Sequence, residues 1–151
     1  MTRTLRRTWR DRRAGASVEF AIAASFLTLL MVGSYDFATL GRRAIEVGNA
    51  ARAGAAHAQR FGWDTTNVQA AVTSATGNTA ITATPAPAQF CGCPTATGVT
   101  ETLCTAACPD GQSSGTYVRV SARATHTFLI TYPGRGASQT LSATTVARVL
   151  P

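Results

Sequence analysis

Residues 10–34 read RDRRAGASVEFAIAASFLTLLMVGS, and the junction inside this stretch decides the fold. A cluster of arginines ends at Arg13, and an uncharged, largely apolar run covers residues 20–34. One carboxylate, Glu19, lies where the two meet. A carboxylate at the start of a hydrophobic helix is costly when it is unpaired. We therefore expect Glu19 to have a cationic partner.

The charges of the chain are concentrated at its amino terminus. All 14 basic residues of this 151-residue protein are arginines, and the only acid before Gly15 is Asp11. The arginines that precede Gly15 are Arg3, Arg6, Arg7, Arg10, Arg12 and Arg13. Basic residues on one side of an apolar segment follow the positive-inside rule, which orients the remainder outward. This distribution argues against nucleic-acid binding, although the net charge is +7.

The apolar run is long enough to cross a bilayer once. The segment from Val18 to Leu40 meets the requirement of about 20 residues for a spanning helix. Asp36 lies near its outer end, and we expect that carboxylate to be solvated at the membrane interface. A secretory signal peptide is the alternative, but Val32-Gly33-Ser34 is a poor cleavage sequence. The pattern therefore favours a single-pass membrane protein.

The helical pattern continues beyond the span. Residues 38–62 contain no proline, and Gly62 is a suitable helix stop. Small and apolar residues recur there at helical spacing, namely Ile45, Gly48, Ala51 or Arg52, Ala55 and Ala58. A second, shorter helix is predicted within residues 63–77, capped by Asp64 or Thr65. Its apolar face would comprise Val68, Ala71, Val72 and Ala75, with Phe61 and Trp63 as core or interface anchors.

The remainder of the chain is typical of strands. Residues 116–132 and 138–150 alternate apolar and polar side chains, and the turn sequence 133–136 separates them. A weaker strand is predicted at Ala80 to Thr84. The pattern predicts an α+β fold, in which a long amino-terminal helix and a short second helix precede a small antiparallel sheet.

Four cysteines are clustered after the span, at Cys91, Cys93, Cys104 and Cys108. An extracytoplasmic location favours two disulfides that staple a Gly/Thr/Pro-rich loop. A bridge between Cys91 and Cys93 would be strained, so we expect links between the two pairs, nested or crossed. A metal site and redox-active thiols are the alternatives.

The sequence carries no catalytic motif of the GxSxG, HExxH or phosphate-loop type. We therefore expect no enzymatic activity, no catalytic residue, no cofactor and no metal. His57 is predicted on the polar face of the helix, and His126 is predicted as a hydrogen-bonded core histidine.

The stretch from Arg12 through Ala58 resembles the TadE-like proteins, which are pseudopilins of the bacterial tight-adherence (Tad, Flp-type) pilus, a type IV pilus system. The matching segments are RRAGASVEFAIA at 12–23, GSYDF at 33–37 and AIEVGNAARAGAAHA at 44–58. The last two resemble the family's G-x-x-[DE]-F and N-A-A-R-x-G-A blocks. Beyond residue 58, the cysteine cluster and the following strand are similar only in style.

The resemblance implies a pilin-like fold and cleavage by a prepilin peptidase. Such peptidases cut before a segment with glutamate at its fifth position and an aromatic residue at its sixth. Glu19 and Phe20 then place the cut between Ala14 and Gly15. Cutting after Gly15 is the alternative, because the usual leader ends in glycine. The new α-amine would supply the cation that Glu19 needs, so Glu19 and Phe20 are the expected assembly residues.

The resemblance also implies a role. The chain would be a minor pilin or pseudopilin that takes part in assembling a Tad pilus for adherence or secretion. Its partners would be other pilins and pseudopilins, Tad inner-membrane assembly proteins, the prepilin peptidase and inner-membrane lipid, but not nucleic acid. The expected segments are a basic cytoplasmic leader (1–14), a transmembrane and extended amphipathic helix (15–62), and a periplasmic α+β head (63–151).

Two other classes stay open at this point. One is a permanently membrane-anchored accessory protein of the Tad secretion machinery that never enters the fibre. The other is a membrane-tethered thiol–disulfide or metal-dependent enzyme built on the cysteine cluster.

Overall fold

The computed structural model describes residues 12–131, 133–134 and 136–149. Within them, a long helix and a short helix precede four strands, and the strands form one antiparallel sheet in the order β2-β1-β3-β4. The elements are α1 (Arg12–Phe61), α2 (Thr65–Ser74), β1 (Ala88–Thr95), β2 (Gly98–Glu101), β3 (Gly115–Thr127) and β4 (Ser138–Arg148). The predicted α+β class is confirmed, with a long helix and a short second helix before a small antiparallel sheet.

The chain divides into two compact units, and the division falls inside α1. The first unit ends at Thr39, and the second begins at Leu40. The second unit, called the head below, contains the outer part of α1 together with α2 and the whole sheet. The head therefore carries a long helical segment of its own.

Helix α1 ends and helix α2 begins where the local sequence predicts. Gly62 adopts a φ of +86°, which favours glycine, and its N–H donates to the Ala58 carbonyl at 3.1 Å. Asp64 caps α2 by accepting a hydrogen bond from the Asn67 N–H at 3.0 Å. Of the predicted apolar face of α2, Val68 and Val72 are fully buried, whereas Ala75 lies beyond the helix and is exposed.

The two long strands were correctly predicted, although both are shorter than their sequence patterns. β3 and β4 pair from Tyr117 opposite Arg148 to Thr127 opposite Ser138, and Gly134 in the turn has a φ of +79°. The weaker strand at 80–84 is reduced to a single bridge between Thr82 and Arg123. This segment precedes two prolines, which limits its pairing.

The hairpin of β1 and β2 was not predicted. Its sequence is rich in glycine, threonine and proline, so it was interpreted as loop, yet β1 pairs with both β2 and β3. Gly92 allows this close pairing, since a Cβ there would lie 2.5 Å from Val99 Cγ1. The first two cysteines therefore lie on a strand rather than in a loop.

The core of the head lies between the helices and one face of the sheet. The outer part of α1 contributes Val47, Ala50, Ala51, Ala55 and Ala58, and α2 contributes Val68 and Val72. Ile81, Val118, Val120, Ala122, Ala124 and Val149 complete this buried cluster. Trp63 packs against it, as expected, whereas Phe61 is 76% exposed.

The face that α1 buries differs from the predicted one at its start. Ile45 was expected on the packed face but is 66% exposed, whereas Val47 is buried. Two residues along a helix correspond to about 200° of rotation, so Ile45 lies on the side opposite Val47. Packing follows the small residues that allow close approach rather than the largest apolar side chain.

Candidate functional site

The inner part of α1 has the length, composition and exposure of a membrane span. Among the described residues, one helix qualifies, with an 18-residue window of mean hydropathy 1.8 of which none is buried. Its exposed large side chains include Phe20, Ile22, Phe26, Leu27, Leu29, Leu30 and Met31. A helix that packs against a soluble core would bury one face, and this one exposes apolar side chains all round. The length and exposure of this helix are compatible with a protein that crosses a membrane once.

The polar hydroxyls of this segment are compatible with lipid. Ser25 and Thr28 donate to the carbonyls of Ala21 and Ala24, both at 2.8 Å. Ser34 donates to the Leu30 carbonyl at 2.8 Å in the same way. Each bond reaches back one turn within the helix, so these hydroxyls need no water.

The candidate processing residues lie at the start of α1. The bond between Ala14 and Gly15 lies within the described helical residues of α1. Gly15 and Glu19 are four residues apart and therefore share a helix face. Phe20, the other candidate assembly residue, is 74% exposed. Cleavage after Gly15 would leave an amine three residues from Glu19, on the same face, so helix geometry fits both candidate bonds.

Asp36 is the clearest departure from the sequence prediction in this unit. It was expected to be solvated, but it is only 1% exposed. A buried carboxylate is stabilised by partners that donate hydrogen bonds or supply charge. The expectation that Asp36 is solvated came from its position along the hydropathy profile. Such a profile does not report which side chains are packed against a residue, so the expectation was wrong.

The four cysteines form two disulfides, which link the predicted pairs in the crossed arrangement. Cys91 bonds to Cys104, and Cys93 bonds to Cys108, with Cα–Cα distances of 5.0 and 5.5 Å. Each bond joins strand β1 to the segment between β2 and β3. No thiol is left to serve as a metal ligand or redox centre in this arrangement.

The segment between β2 and β3 is further ordered by a serine. The Ser114 hydroxyl is within 3.2 Å of the Leu103 carbonyl and 2.9 Å of the Cys104 carbonyl. The Cys108 N–H donates to the Gln112 carbonyl at 2.7 Å. The disulfides therefore complete a hydrogen-bonded segment with little apolar content of its own.

No family model, curated protein or solved structure matches this chain. The resemblance to TadE-like proteins remains a hypothesis carried by the three segments quoted above.

An aromatic and charged cluster on the outer face of the sheet was missed by sequence reasoning. The rings of Phe90 and Tyr117 stack with centroids 5.9 Å apart, and the Arg119 guanidinium lies 4.5 Å from the Phe90 centroid. Arg119 also pairs with Glu101 at 3.2 Å. These residues come from three strands, so only the β2-β1-β3 pairing brings them together.

The two histidines differ from their predictions. His126 is buried on the inner face as expected, but its Nε2 has no hydrogen-bond partner among the described residues, and its ring packs edge-on against Phe128. His57 was expected on the polar face, yet it is half-buried and lines a groove between α1 and α2. Among the described residues, no cluster of three or more His, Cys, Asp or Glu forms a metal site.

A polar network ties α1 to the segment after α2. Glu46 accepts hydrogen bonds from Asn78 Nδ2 and from Arg42 Nε, both at 3.0 Å. The bond from Asn78 is the main cause that lowers the pKa of the Glu46 carboxyl below its ordinary value, and Arg42 and Arg43 lower it further, against a raising effect of burial. Asn78 also caps its own turn by accepting from the Ala80 N–H at 3.1 Å.

Proposed function

We propose that this protein is a TadE-like minor pilin or pseudopilin that takes part in assembling a Tad (Flp-type) pilus. The proposal rests chiefly on one observation: an apolar helical segment exposed on all sides follows an arginine cluster and carries Glu19 four residues after Gly15. The pilin-like order of long helix, short helix and disulfide-stapled antiparallel sheet supports it.

In this proposal the arginines hold the amino terminus in the cytoplasm while α1 spans the inner membrane. A prepilin peptidase removes residues 1–14, and the new α-amine of Gly15 lies about one helical turn from Glu19. The amine of the same or a neighbouring subunit then neutralises that carboxylate as the helices pack. Exposed side chains such as Phe20 and Phe26 exchange contact with lipid for contact with other pilin helices.

The head has a different task in this proposal. Its portion of α1 is covered on one face by the sheet and by α2, so that face is already occupied. The apolar residues left for helix–helix packing in a fibre are those of the inner part of α1. The head would then cap, prime or connect the fibre.

The deciding experiment is amino-terminal sequencing of the protein recovered from membranes and from sheared pili. A peptidase-deficient strain is the matched control, in which the chain should keep Met1. We expect Gly15 as the first residue in the parent strain and presence of the protein in the sheared fraction. Processed protein that stays entirely in the membrane would instead indicate a permanently anchored accessory protein. Unprocessed protein in both strains would refute the proposal.

A further inference from the structure

Strand β4 forms one edge of the sheet in the head, and its outward side is unprotected. It pairs with β3, and that register continues without a bulge from Ser138 to Arg148. Edge strands are usually blunted by a charge, a proline, a bulge or short length, because their unpaired backbone groups invite another strand. Between Ser138 and Ala147, β4 contains neither a charged residue nor a proline.

The opposite edge of the sheet differs from β4 in length and charge. Strand β2 is four residues long, and its last residue, Glu101, pairs with Arg119 at 3.2 Å. Strand β4 is 11 residues long. A short edge that ends in a charge is a poor template for further pairing, whereas a long uncharged edge is a good one. A further strand would therefore be added at β4.

The hydrogen bonds at the two ends of the β3–β4 ladder show which residues of β4 face away from β3. The Phe128 N–H donates to the Ala137 carbonyl, and the Val149 N–H donates to the Thr116 carbonyl, both at 2.9 Å. Hydrogen-bonded and non-hydrogen-bonded pairs alternate along an antiparallel ladder. The odd-numbered residues of β4 therefore bond to β3, and the even-numbered residues direct their N–H and C=O groups outward.

A contact from α1 confirms this direction and marks the end of the open edge. Gln59 Nε2 donates to the carbonyl of Arg148, an even-numbered residue, at 3.3 Å. In the described part of the chain, no strand or isolated bridge lies on the outward side of β4. The even-numbered residues before Arg148 are all exposed, namely Ser138, Thr140, Ser142, Thr144 and Val146. They form a row of backbone donors and acceptors about 27 Å long.

We propose that β4 pairs antiparallel with β4 of a second copy of this chain, in a register centred on Ser142, so that two heads share one continuous sheet. This register places each open outward residue opposite another: Ser142 opposite Ser142, Thr140 opposite Thr144, and Ser138 opposite Val146. Arg148, whose carbonyl already accepts from Gln59, lies beyond the paired residues. The main-chain hydrogen bonds of the added strand supply the contact.

The charge pattern of β4 suits pairing with its own copy. Like charges directly opposite each other destabilise a pair of strands. The paired segment 138–146 carries no charge, so two copies bring no like charges together. The two Arg148 residues would lie at opposite ends of the paired strands.

The inner face of β4 also suits this register. Leu141 and Ala143 pack against the head core but are only partly buried. With Ser142 at the centre, Leu141 of each copy lies opposite Ala143 of the other, so a large side chain meets a small one on both sides of the axis. Opposite residues of antiparallel strands point to the same face, so this contact removes apolar surface of both copies from water.

The test traps the pairing with single cysteines in the full chain, purified in detergent micelles and mildly oxidised. The native cysteines are all disulfide-bonded, so an added cysteine has no free thiol in its own chain to react with. In the proposed register the two Ser142 Cα atoms lie about 5.5 Å apart, which suits a disulfide. We expect Ser142→Cys to convert most of the chain to a dimer on a non-reducing gel.

Thr140→Cys and Thr144→Cys are the matched controls, on the same exposed face of the same strand. In the proposed register each of these residues is offset from its own copy by about 14 Å along the strands. We therefore expect either variant alone to stay monomeric. An equimolar mixture of the two should form a mixed dimer, because Thr140 of one copy lies opposite Thr144 of the other.

A Ser142→Cys variant that stays monomeric would overturn the inference. Equal cross-linking of the three single variants would also overturn it, because it would indicate random collision or a dimer formed through the rest of α1. The experiment concerns the head alone and measures no pili, so its failure leaves the proposed function standing.

A proline variant tests the backbone hydrogen bonds of the pairing. Ser142→Pro removes an outward N–H but no bond to β3, and an edge strand tolerates proline at such a position. Added to the Thr140→Cys and Thr144→Cys chains, it should reduce the mixed dimer to the level of the single variants. Circular dichroism checks that the head stays folded. A folded variant with an unchanged mixed dimer would overturn the inference, and an unfolded one leaves the decision to the single cysteines.

Discussion

At the scale of single residues, Glu19 is the side chain on which the proposed assembly mechanism depends. It lies at the start of a helix whose next charged residue is Asp36. In the proposed mechanism, replacing Glu19 by alanine would leave the α-amine of Gly15 without its partner, so we expect fewer pili and retention of the variant in the inner membrane. Insertion should persist because the arginines and the apolar run are unchanged. Counting surface pili in a complemented deletion strain measures the effect.

Glu19→Asp is the control for this prediction, because it keeps the charge on a shorter side chain. We expect it to restore part of the piliation. Wild-type piliation with Glu19→Ala would show that the carboxylate has no role in assembly.

Gly54 is a residue whose importance only packing reveals. A Cβ at Gly54 would lie 2.5 Å from Val72 Cγ2 and 2.9 Å from Val120 Cγ1, so α1, α2 and β3 meet there. We expect Gly54→Ala to lower the free energy of unfolding by about 1–3 kcal/mol through overpacking. At Gly48 a Cβ would meet nothing within 4 Å, so Gly48→Ala should raise stability by up to about 1 kcal/mol through helix propensity. Denaturant unfolding of the two variants in micelles measures both, and equal effects would contradict the packing argument.

At the scale of elements, the Glu46–Asn78 contact links α1 to the segment after α2. Folding lowers the pKa of the Glu46 carboxyl below its ordinary value of 4.5, so the ionised carboxylate stabilises the protein at pH values above 4.5. That contribution is lost as the pH falls through the lower, folded-state pKa. We expect Asn78→Ala to destabilise the head by less than about 1 kcal/mol at pH ~7 and by still less at pH ~3.

Unfolding by urea at the two pH values tests this dependence. The control variant is Asn49→Ala, at an exposed asparagine of α1. It should change stability by the same amount at both pH values. A destabilisation by Asn78→Ala that does not depend on pH would contradict the role of Glu46.

The crossed disulfides tie strand β1 to the segment between β2 and β3, and paired variants test their connectivity. Replacing Cys91 and Cys104 by serine removes one complete disulfide, so we expect no alkylatable thiol in protein purified without reductant. Replacing Cys91 and Cys108 breaks both disulfides and should expose two thiols, at Cys93 and Cys104. Mass analysis after alkylation counts them. In the nested pairing, the first variant would expose two thiols and the second would expose none.

At the scale of the whole molecule, the boundary of the head lies inside α1. The head core includes Val47, Ala50 and Ala55, which all precede the expected head segment 63–151. A chain that begins at Leu40 should therefore fold as a soluble head with both disulfides after export to an oxidising compartment. A chain that begins at Trp63 lacks the helix that covers the sheet, and we expect it to aggregate or to be degraded. Circular dichroism and thiol counting distinguish the two, and equal folding would contradict the boundary.

What the sequence by itself determined is the set of features that depend on local composition. The apolar helix after the arginines, the stop at Gly62, the cap at Asp64 and the two alternating strands all arise from short-range propensity and period. The links between the two groups of cysteines also followed from their spacing, because cysteines only two positions apart cannot bond without strain.

Only the tertiary structure decided which side chains meet across elements. The burial of Asp36, the exposure of Ile45 and the close approach at Gly54 depend on packing that no local period reports. The β1–β2 hairpin escaped prediction because its stability comes from β3 and the disulfides rather than from its own residues. The alignment of the sheet with α1 likewise depends on two bonds between residues that are more than eighty positions apart, Arg43 with Thr125 and Gln59 with Arg148. Such contacts form only when the sheet folds back along the helix, and that is the physical reason they lie beyond a reading of the chain.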